Sequence, residues 1–203
     1  MFSEIVDIRK EEIINACERL YKENSFRDIT IKSIGEQTTF SRTSIYNYFH
    51  TKEEIFLALL KREYDRWIDD LNEMYEQNNE MTREMFADKL SHTIEKRKNM
   101  LKLVSMNMYE IEDNSRLEEL IEFKKSYGRA IKTVRKCADK FLNNMKEKDK
   151  DKFIYLFFPF MYGIYPYTEA TEKQMEAMKV AEVPSKLLSI YEITYNGILK
   201  LLS

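Results

Sequence analysis

Between residues 41 and 48 the chain reads Ser-Arg-Thr-Ser-Ile-Tyr-Asn-Tyr. Hydroxyl, amide and guanidinium groups crowd this stretch. Only Ile45, followed at i+4 by Phe49, gives it an apolar foot at helical spacing. A helix with so narrow an apolar stripe and so many hydrogen-bonding tips suits the edges of base pairs. The major groove admits one α-helix, and short hydroxyl and amide side chains reach base edges there. Backbone N–H groups at helix N-termini, arginine and lysine hold phosphates. Ser41, Arg42, Thr43 and Ser44 stand at the start of this helix and Lys52 at the start of the next, so both positions are able to hold one duplex. The plain alternative is an ordinary surface helix.

Other chemistries find no such constellation. The chain has two histidines, four glycines and two cysteines. It shows no glycine-rich phosphate loop, no Ser-His-Asp set and no Cys-His pair in local context, so no enzyme is expected. His50 and His92 have no partners at metal-ligand spacing and read as solvated or packed, so no metal and no cofactor is expected.

The elements that must carry the polar helix follow from periodicity and caps. Ile13, Cys17, Leu20 and Tyr21 recur at helical spacing and predict a first helix over 7–24, broken at Ser25–Asp28. Thr30 is placed to accept the free N–H of residue 33, opening a short second helix whose Ile31 and Ile34 need cover. After a polar break, Ser41 is the next N-cap and His50 closes the third helix. Thr51 to Glu54 predicts a capping box for a fourth helix reaching the mid-seventies. Later helices are expected over 82–98, 100–111, 115–145, 150–169 and 185–202, with a solvated loop near Asn143–Asp151 and Ser185 capping the last. Pro159 is expected to kink its helix.

Two short helices joined by a tight turn, the second polar outside, form a helix-turn-helix. At these residues the chain resembles the tetracycline-repressor (TetR) family. Its stretch TIKSIGEQTTFSRTSIYNYFHTKEEIFLALL is similar to the family's DNA-binding pattern T-(V/I)-x-x-I-A-x-x-A-G-V-S-x-x-(T/S)-(L/I)-Y-x-Y-F-x-(S/N)-K-E-x-L. Thr30, Ile31, Ile34, Ser41, Ser44, Ile45, Tyr46, Tyr48, Phe49, Lys52, Glu53 and Glu54 fall into place. The match is close over 30–60 and extends to about 8–66. Gly35 stands where the family has Ala, and Thr39-Phe40 where its turn reads Gly-Val. That glycine accepts φ > 0, which Thr disfavours, so a strained turn is expected.

The resemblance implies an all-α chain: an N-terminal three-helix DNA-binding domain over 1–66, with its motif at 30–49, joined by a long helix to a helical ligand-binding and dimerisation domain over 67–203. It implies that Asn47, Thr43 and Ser44 read bases, that Tyr46 and Tyr48 touch phosphate or thymine methyls, and that Lys52, Thr30 and Lys32 anchor the backbone. It implies a cytoplasmic homodimer on a double-stranded operator, a repressor released by a small apolar or aromatic inducer. The helices over 150–169 and 185–202 would pair with their mates in a four-helix bundle. The alternative is a helical sensor or interaction module whose DNA binding is partner-controlled or lost.

The net charge of −2 adds nothing to the nucleic-acid case, and residues 1–50 carry seven basic against eight acidic side chains. Any DNA-binding face is therefore basic only locally. Met and aromatic residues make adaptable apolar cavities. On that ground Met106, Tyr109, Phe123, Tyr127, Phe157, Met161, Tyr162 and Tyr165 are candidate pocket residues, against the plainer reading of core packing. The uncharged run Phe153–Tyr167 is shorter than the roughly 20 residues needed to span a bilayer and contains two prolines, so no membrane contact is expected. Cys17 and Cys137 read as buried free thiols.

Overall fold

The computed structural model describes residues 2–184 and 186–203; the side chains of residues 2–5 and of Arg42 lie outside the described set. The chain is all-α, with no strand among the described residues. In chain order the helices are α1 (Phe2–Glu23), α2 (Ile31–Gly35), α3 (Arg42–Ile45), α4 (Lys52–Gln77), α5 (Arg83–Glu95), α6 (Lys98–Met106), α7 (Met108–Asp113), α8 (Leu117–Phe141), α9 (Glu147–Tyr162), α10 (Glu172–Val180) and α11 (Ile190–Leu201), with a 3-10 turn at Tyr165–Tyr167. They form two compact units, Met1–Asp65 with Asn107–Gly128, and Arg66–Met106 with Arg129–Ser203. The long helices α4 and α8 each run from one unit into the other.

In the N-terminal unit, α1 turns Ile13, Cys17 and Tyr21 inward and the first half of α4 turns Ile55, Phe56, Leu59 and Tyr64 inward, all of them buried. Tyr21 and Phe56 meet edge to face at 5.2 Å, and Phe26 lies 4.6 Å from Phe56. Arg62 fastens α4 to α1, donating to Glu11 (2.9 Å), Asn15 (2.7 Å) and Glu18 (2.7 Å). From α8, Phe123 and Tyr127 each pack on Tyr64 at 5.7 Å.

In the C-terminal unit, α11 packs chiefly on α5 and also on α9, while α6 meets α9 and the 3-10 turn. Trp67, the only tryptophan, is fully buried beside Phe157 and Phe158, and its indole N–H donates to Thr93 Oγ1 at 2.9 Å. Asp70 gathers Arg97 (Nε at 3.1 Å) and Lys96 (3.4 Å). Burial pushes the Cys137 thiol up to about 11 and the Cys17 thiol higher still, and both are free.

Several expected boundaries move. The third helix holds α-geometry only to Ile45. The expected helix over 100–111 is broken at Asn107, whose φ and ψ of −138° and 3° leave the helical region. The supposed loop near Asn143–Asp151 is half helix: α9 begins at Glu147, because Glu147 and Asp149 suit a first turn and Arg135 gathers Asp139, Glu147 and Asp151. Lys150 there is buried between Asp139 (3.3 Å) and Glu147 (3.0 Å). Pro159 is accommodated inside α9, which continues to Tyr162. Helix α10 was not anticipated, although Thr171 and Gln174 form a full capping box. Ser185 lies outside the described residues; Ser189 caps the last helix, in a box with Glu192.

At Gly197 of α11 the Phe160 ring of α9 lies against the backbone. A Cβ built there would lie 2.2 Å from Phe160 Cζ, so only glycine admits the ring in its present rotamer. Gly197→Ala is expected to force Phe160 aside and lower stability by about 1–3 kcal/mol in urea titration, and Phe160→Leu to recover part of that loss.

Candidate nucleic-acid interface

The site begins with α2, which Thr30 opens as its side chain predicts. Thr30 has extended backbone, its Oγ1 accepts the Ser33 N–H at 3.1 Å, and its own N–H donates to Ser33 Oγ at 2.9 Å. Ile31 and Ile34 are buried beneath. The turn after α2 is hydrogen-bonded from within: Gln37 N–H to Ile34 O at 3.0 Å, Thr38 N–H to Gly35 O at 3.1 Å, and the Thr38 hydroxyl to Gly35 O at 2.9 Å.

That turn is also tied from outside by three side chains of α1. Glu12 accepts the Thr39 N–H at 2.6 Å, Arg19 donates to Gln37 O at 3.1 Å, and the Arg9 guanidinium lies 5.5 Å from the Phe40 ring centre. The expected strain at Thr39-Phe40 is absent. The one non-glycine residue at positive φ among the described residues is Glu182, at 53°. Thr39 and Phe40 both keep negative φ, so this turn does not use the left-handed conformation, and the Glu12 carboxylate accepts the Thr39 N–H.

Helix α3 is one turn long. Ser41 occupies its N-cap with extended backbone, but its hydroxyl pairs with Ser44 Oγ at 3.0 Å and caps no N–H. Two tighter i→i−3 bonds and one of α-helical spacing carry the winding on to Phe49: Asn47 N–H to Ser44 O (3.3 Å), Tyr48 N–H to Ile45 O (2.9 Å) and Phe49 N–H to Ile45 O (3.0 Å). Ile45 and Phe49 are fully buried, as their spacing predicts. Thr43, Tyr46 and Asn47 are exposed, and Ser44 and Tyr48 are half-buried, with Tyr48 lying 6.4 Å from Phe40. The Arg42 side chain lies outside the described residues. Lys32 on α2 is exposed, with only a long 3.9 Å approach to Glu36.

Lys52 is engaged inside the protein. Its ammonium donates to Phe26 O (3.0 Å) and Ile29 O (3.4 Å) and stands 4.3 Å from the Phe26 ring centre. Glu54 is buried and accepts from the His50 N–H (2.7 Å) and from Arg116 through Nε (2.6 Å), Nη2 (3.0 Å) and N–H (3.2 Å). Thr51 Oγ1 accepts the Glu54 N–H at 3.2 Å and donates to Asn114 O at 3.0 Å. The expected capping box is thus half made: the returning arm of Glu54 goes to residue 50, not 51. Burial pushes the Glu54 pKa up, but the Arg116 guanidinium and the N–H donors outweigh it, and the carboxyl titrates below its ordinary range.

The residues expected to line a ligand pocket divide. Tyr109, Phe123 and Tyr127 belong to the N-terminal unit; Met106, Phe157, Met161, Tyr162 and Tyr165 belong to the C-terminal one. Met106 is 59% exposed and Tyr109 85%, so neither lines an enclosed space. Phe157 and Met161 are fully buried core. Tyr162 and Tyr165 are half-buried, and the Tyr165 hydroxyl donates to Glu169 at 2.9 Å. Sequence reasoning missed the α1 side chains that hold the turn. Their signal was polar residues at 9, 12 and 19, which share one helical face.

Residues 13–59 match the family model described as bacterial regulatory proteins, tetR family, and residues 61–189 match the tetracyclin repressor-like C-terminal domain. The chain is 31% identical over 70 residues to the uncharacterized HTH-type transcriptional regulator YfiR of Bacillus subtilis, 34% of either chain. It is 30% identical over 64 residues to the HTH-type transcriptional repressor AcnR of Corynebacterium glutamicum, 32% of this chain and 34% of the relative. The match thus spans about a third of the length of these curated relatives. Among solved structures, the regulator FadR of Bacillus subtilis in complex with stearoyl-CoA is similar, with a TM-score of 0.60 at 16% identity, covering 95% of this chain and 96% of that one. The MbdR regulator of Azoarcus sp. CIB gives 0.58 at 18% identity, covering 95% and 98%. At such identities the likeness is one of fold.

Two outcomes follow from the site's internal bonds. Glu12→Ala is expected to cost about 1–3 kcal/mol in urea titration and to speed amide exchange at Thr39, since a backbone N–H loses its acceptor. Glu54→Gln is expected to cost about 2 kcal/mol at pH 7. Because the native pKa of Glu54 lies below its unfolded value, its contribution is fully present above the ordinary value of 4.5 and fades as pH falls through the native one. The gap between the parent and Glu54→Gln should therefore close on acidification; a gap independent of pH would contradict the assignment.

Proposed function

The chain belongs to the tetracycline-repressor family, and from that premise we propose that it is a DNA-binding transcriptional regulator that represses its target and is released by a small molecule. The observation that carries this reading is the exposed set Thr43, Tyr46 and Asn47 above the buried foot Ile45 and Phe49. A solvent-facing amide and hydroxyl on a short helix pinned from behind are what base-edge recognition requires. Thr43 and Asn47 read bases, Ser44 assists them, and Tyr46 and Tyr48 flank them against the sugar-phosphate. Lys32 and Arg42 neutralise phosphates, with Thr30 and Ser41 beside them. Lys52 acts indirectly, by holding the chain at residues 26 and 29 so that α3 is presented.

The operator-bound form is a homodimer. Two copies of α3 enter successive major grooves about 34 Å apart. Helices α9 and α11 are the proposed dimer elements; Tyr155 on α9 is 79% exposed, an aromatic ring that a partner helix would cover. An inducer loosens DNA only to the extent that it prefers the form in which the two reading helices are wrongly spaced. The soft side chains around Phe157 and Met161 support an apolar or aromatic inducer. No helix among the described residues is long and apolar enough to cross a membrane.

The test is fluorescence anisotropy with DNA from upstream of the chain's own gene, at two salt concentrations and with unrelated competitor. Tight, competitor-resistant binding that weakens with salt is expected. Asn47→Ala and Thr43→Ala should each cost about 1–3 kcal/mol on the specific site and relax the base preference. Lys32→Ala should weaken specific and competitor DNA alike and reduce the salt slope by about 1. Equal losses on specific and competitor DNA for Asn47→Ala would remove the base-reading role. Affinity indifferent to salt would favour a sensor module that has lost its operator.

A further inference from the structure

Among the described residues, every α-helix but α10 buries apolar side chains, and α10 buries no residue at all. Yet both of its ends are fully specified. Thr171 and Gln174 close a capping box at its start. At its end the Val183 N–H reaches Met178 O at 2.9 Å and the Glu182 N–H reaches Lys179 O at 3.2 Å, the bonding pattern of a Schellman motif. Glu182 takes the left-handed conformation that this motif needs, with φ at 53°, where glycine is usual. Nine residues with both caps still make a marginal helix, since roughly a dozen or more are needed for one to stand alone in water. Its persistence calls for apolar cover from outside.

The side chains for such a contact are in place. Met175 and Met178, three apart and so on one side of the helix, are half-buried, and Val180 is 75% exposed. Val183 and Leu187 beyond it are exposed too. The chain's own body holds the roots of the excursion: Tyr165 and Lys98 bind Glu169 before α10, and Ser189 caps α11 after it. Those roots join α10 directly to α9 and α11, the two helices assigned above to the homodimer. By two-fold symmetry, a segment strung between two interface helices borders the interface on both copies. The second copy is therefore the surface available wherever this helix is. We propose that residues 170–188 form an exchanged arm, whose Met175, Met178 and Val180 dock on the second copy of this chain. The assignment rests on the homodimer reading, and its test separates the two. Methionine adapts to irregular apolar surfaces, and a symmetric dimer makes the contact twice.

The full chain carrying Glu176→Cys would be labelled with a benzophenone maleimide; Glu176 is exposed, and Cys17 and Cys137 are buried. Irradiation at a concentration where the dimer predominates is expected to give a covalent product of twice the chain mass on a denaturing gel. In sedimentation equilibrium, Met178→Asp with Val180→Asp should weaken the dimer by about tenfold or more. Neither side chain is buried, so the far-ultraviolet spectrum of the folded chain should be kept. A dimer that yields only within-chain products, or none, would overturn the arm and leave the homodimer standing. So would a dissociation constant that the double variant leaves unmoved. A chain that stays monomeric at every concentration would overturn both.

Discussion

A helix of five residues and another of four cannot stand alone in water, where even favourable sequences need roughly a dozen residues or more. The reading head of this protein, α2 and α3, is built from those two. Its geometry is borrowed from neighbours: a cap at Thr30, a buried foot at Ile34, Ile45 and Phe49, and polar ties from elsewhere in the chain. Glu12 and Arg19 hold the turn, Lys52 holds the carbonyls of Phe26 and Ile29, and Glu54 holds the His50 N–H. Every one of these bonds fixes backbone, and together they decide where Thr43 and Asn47 point.

This explains a charge balance that is otherwise odd for a nucleic-acid interface. The acidic side chains of the first 50 residues do not all face a duplex. Glu12 is spent on a turn, and Glu11 and Glu18 on Arg62. Each pairs with a donor inside the protein, so the net count says little about the sign of the exposed face.

Much of this was legible in the residues. Caps are local, so Thr30 with Ser33 announced α2, and the i, i+4 pair Ile45 and Phe49 announced the foot of α3. The rest depended on contacts distant in sequence. Arg116 reaches Glu54 across 62 positions, and no periodicity announces such a pair. That bond accompanies the clustering of Asn107–Gly128 with the N-terminal residues. The turn was misjudged because the family's glycine was taken as a backbone requirement, when this turn closes without a positive φ. The pocket set was drawn from composition, which does not separate Tyr109, in solvent, from Phe157, in core. The helix start at Glu147 was hidden because a charge-rich run reads as loop until its partner Arg135 is known.

The position of the single indole gives the molecule a built-in optical asymmetry. Trp67 sits in the C-terminal unit, dry, hydrogen-bonded to Thr93 and flanked by Phe157 and Phe158. Its emission should be blue-shifted, and quenchers dissolved in water should reach it poorly. Any small molecule that repacks Phe157 changes the colour of the protein's own light without a label. Events confined to Thr43 and Asn47 leave that light untouched, so one cuvette separates what happens in the core from what happens at the reading helix.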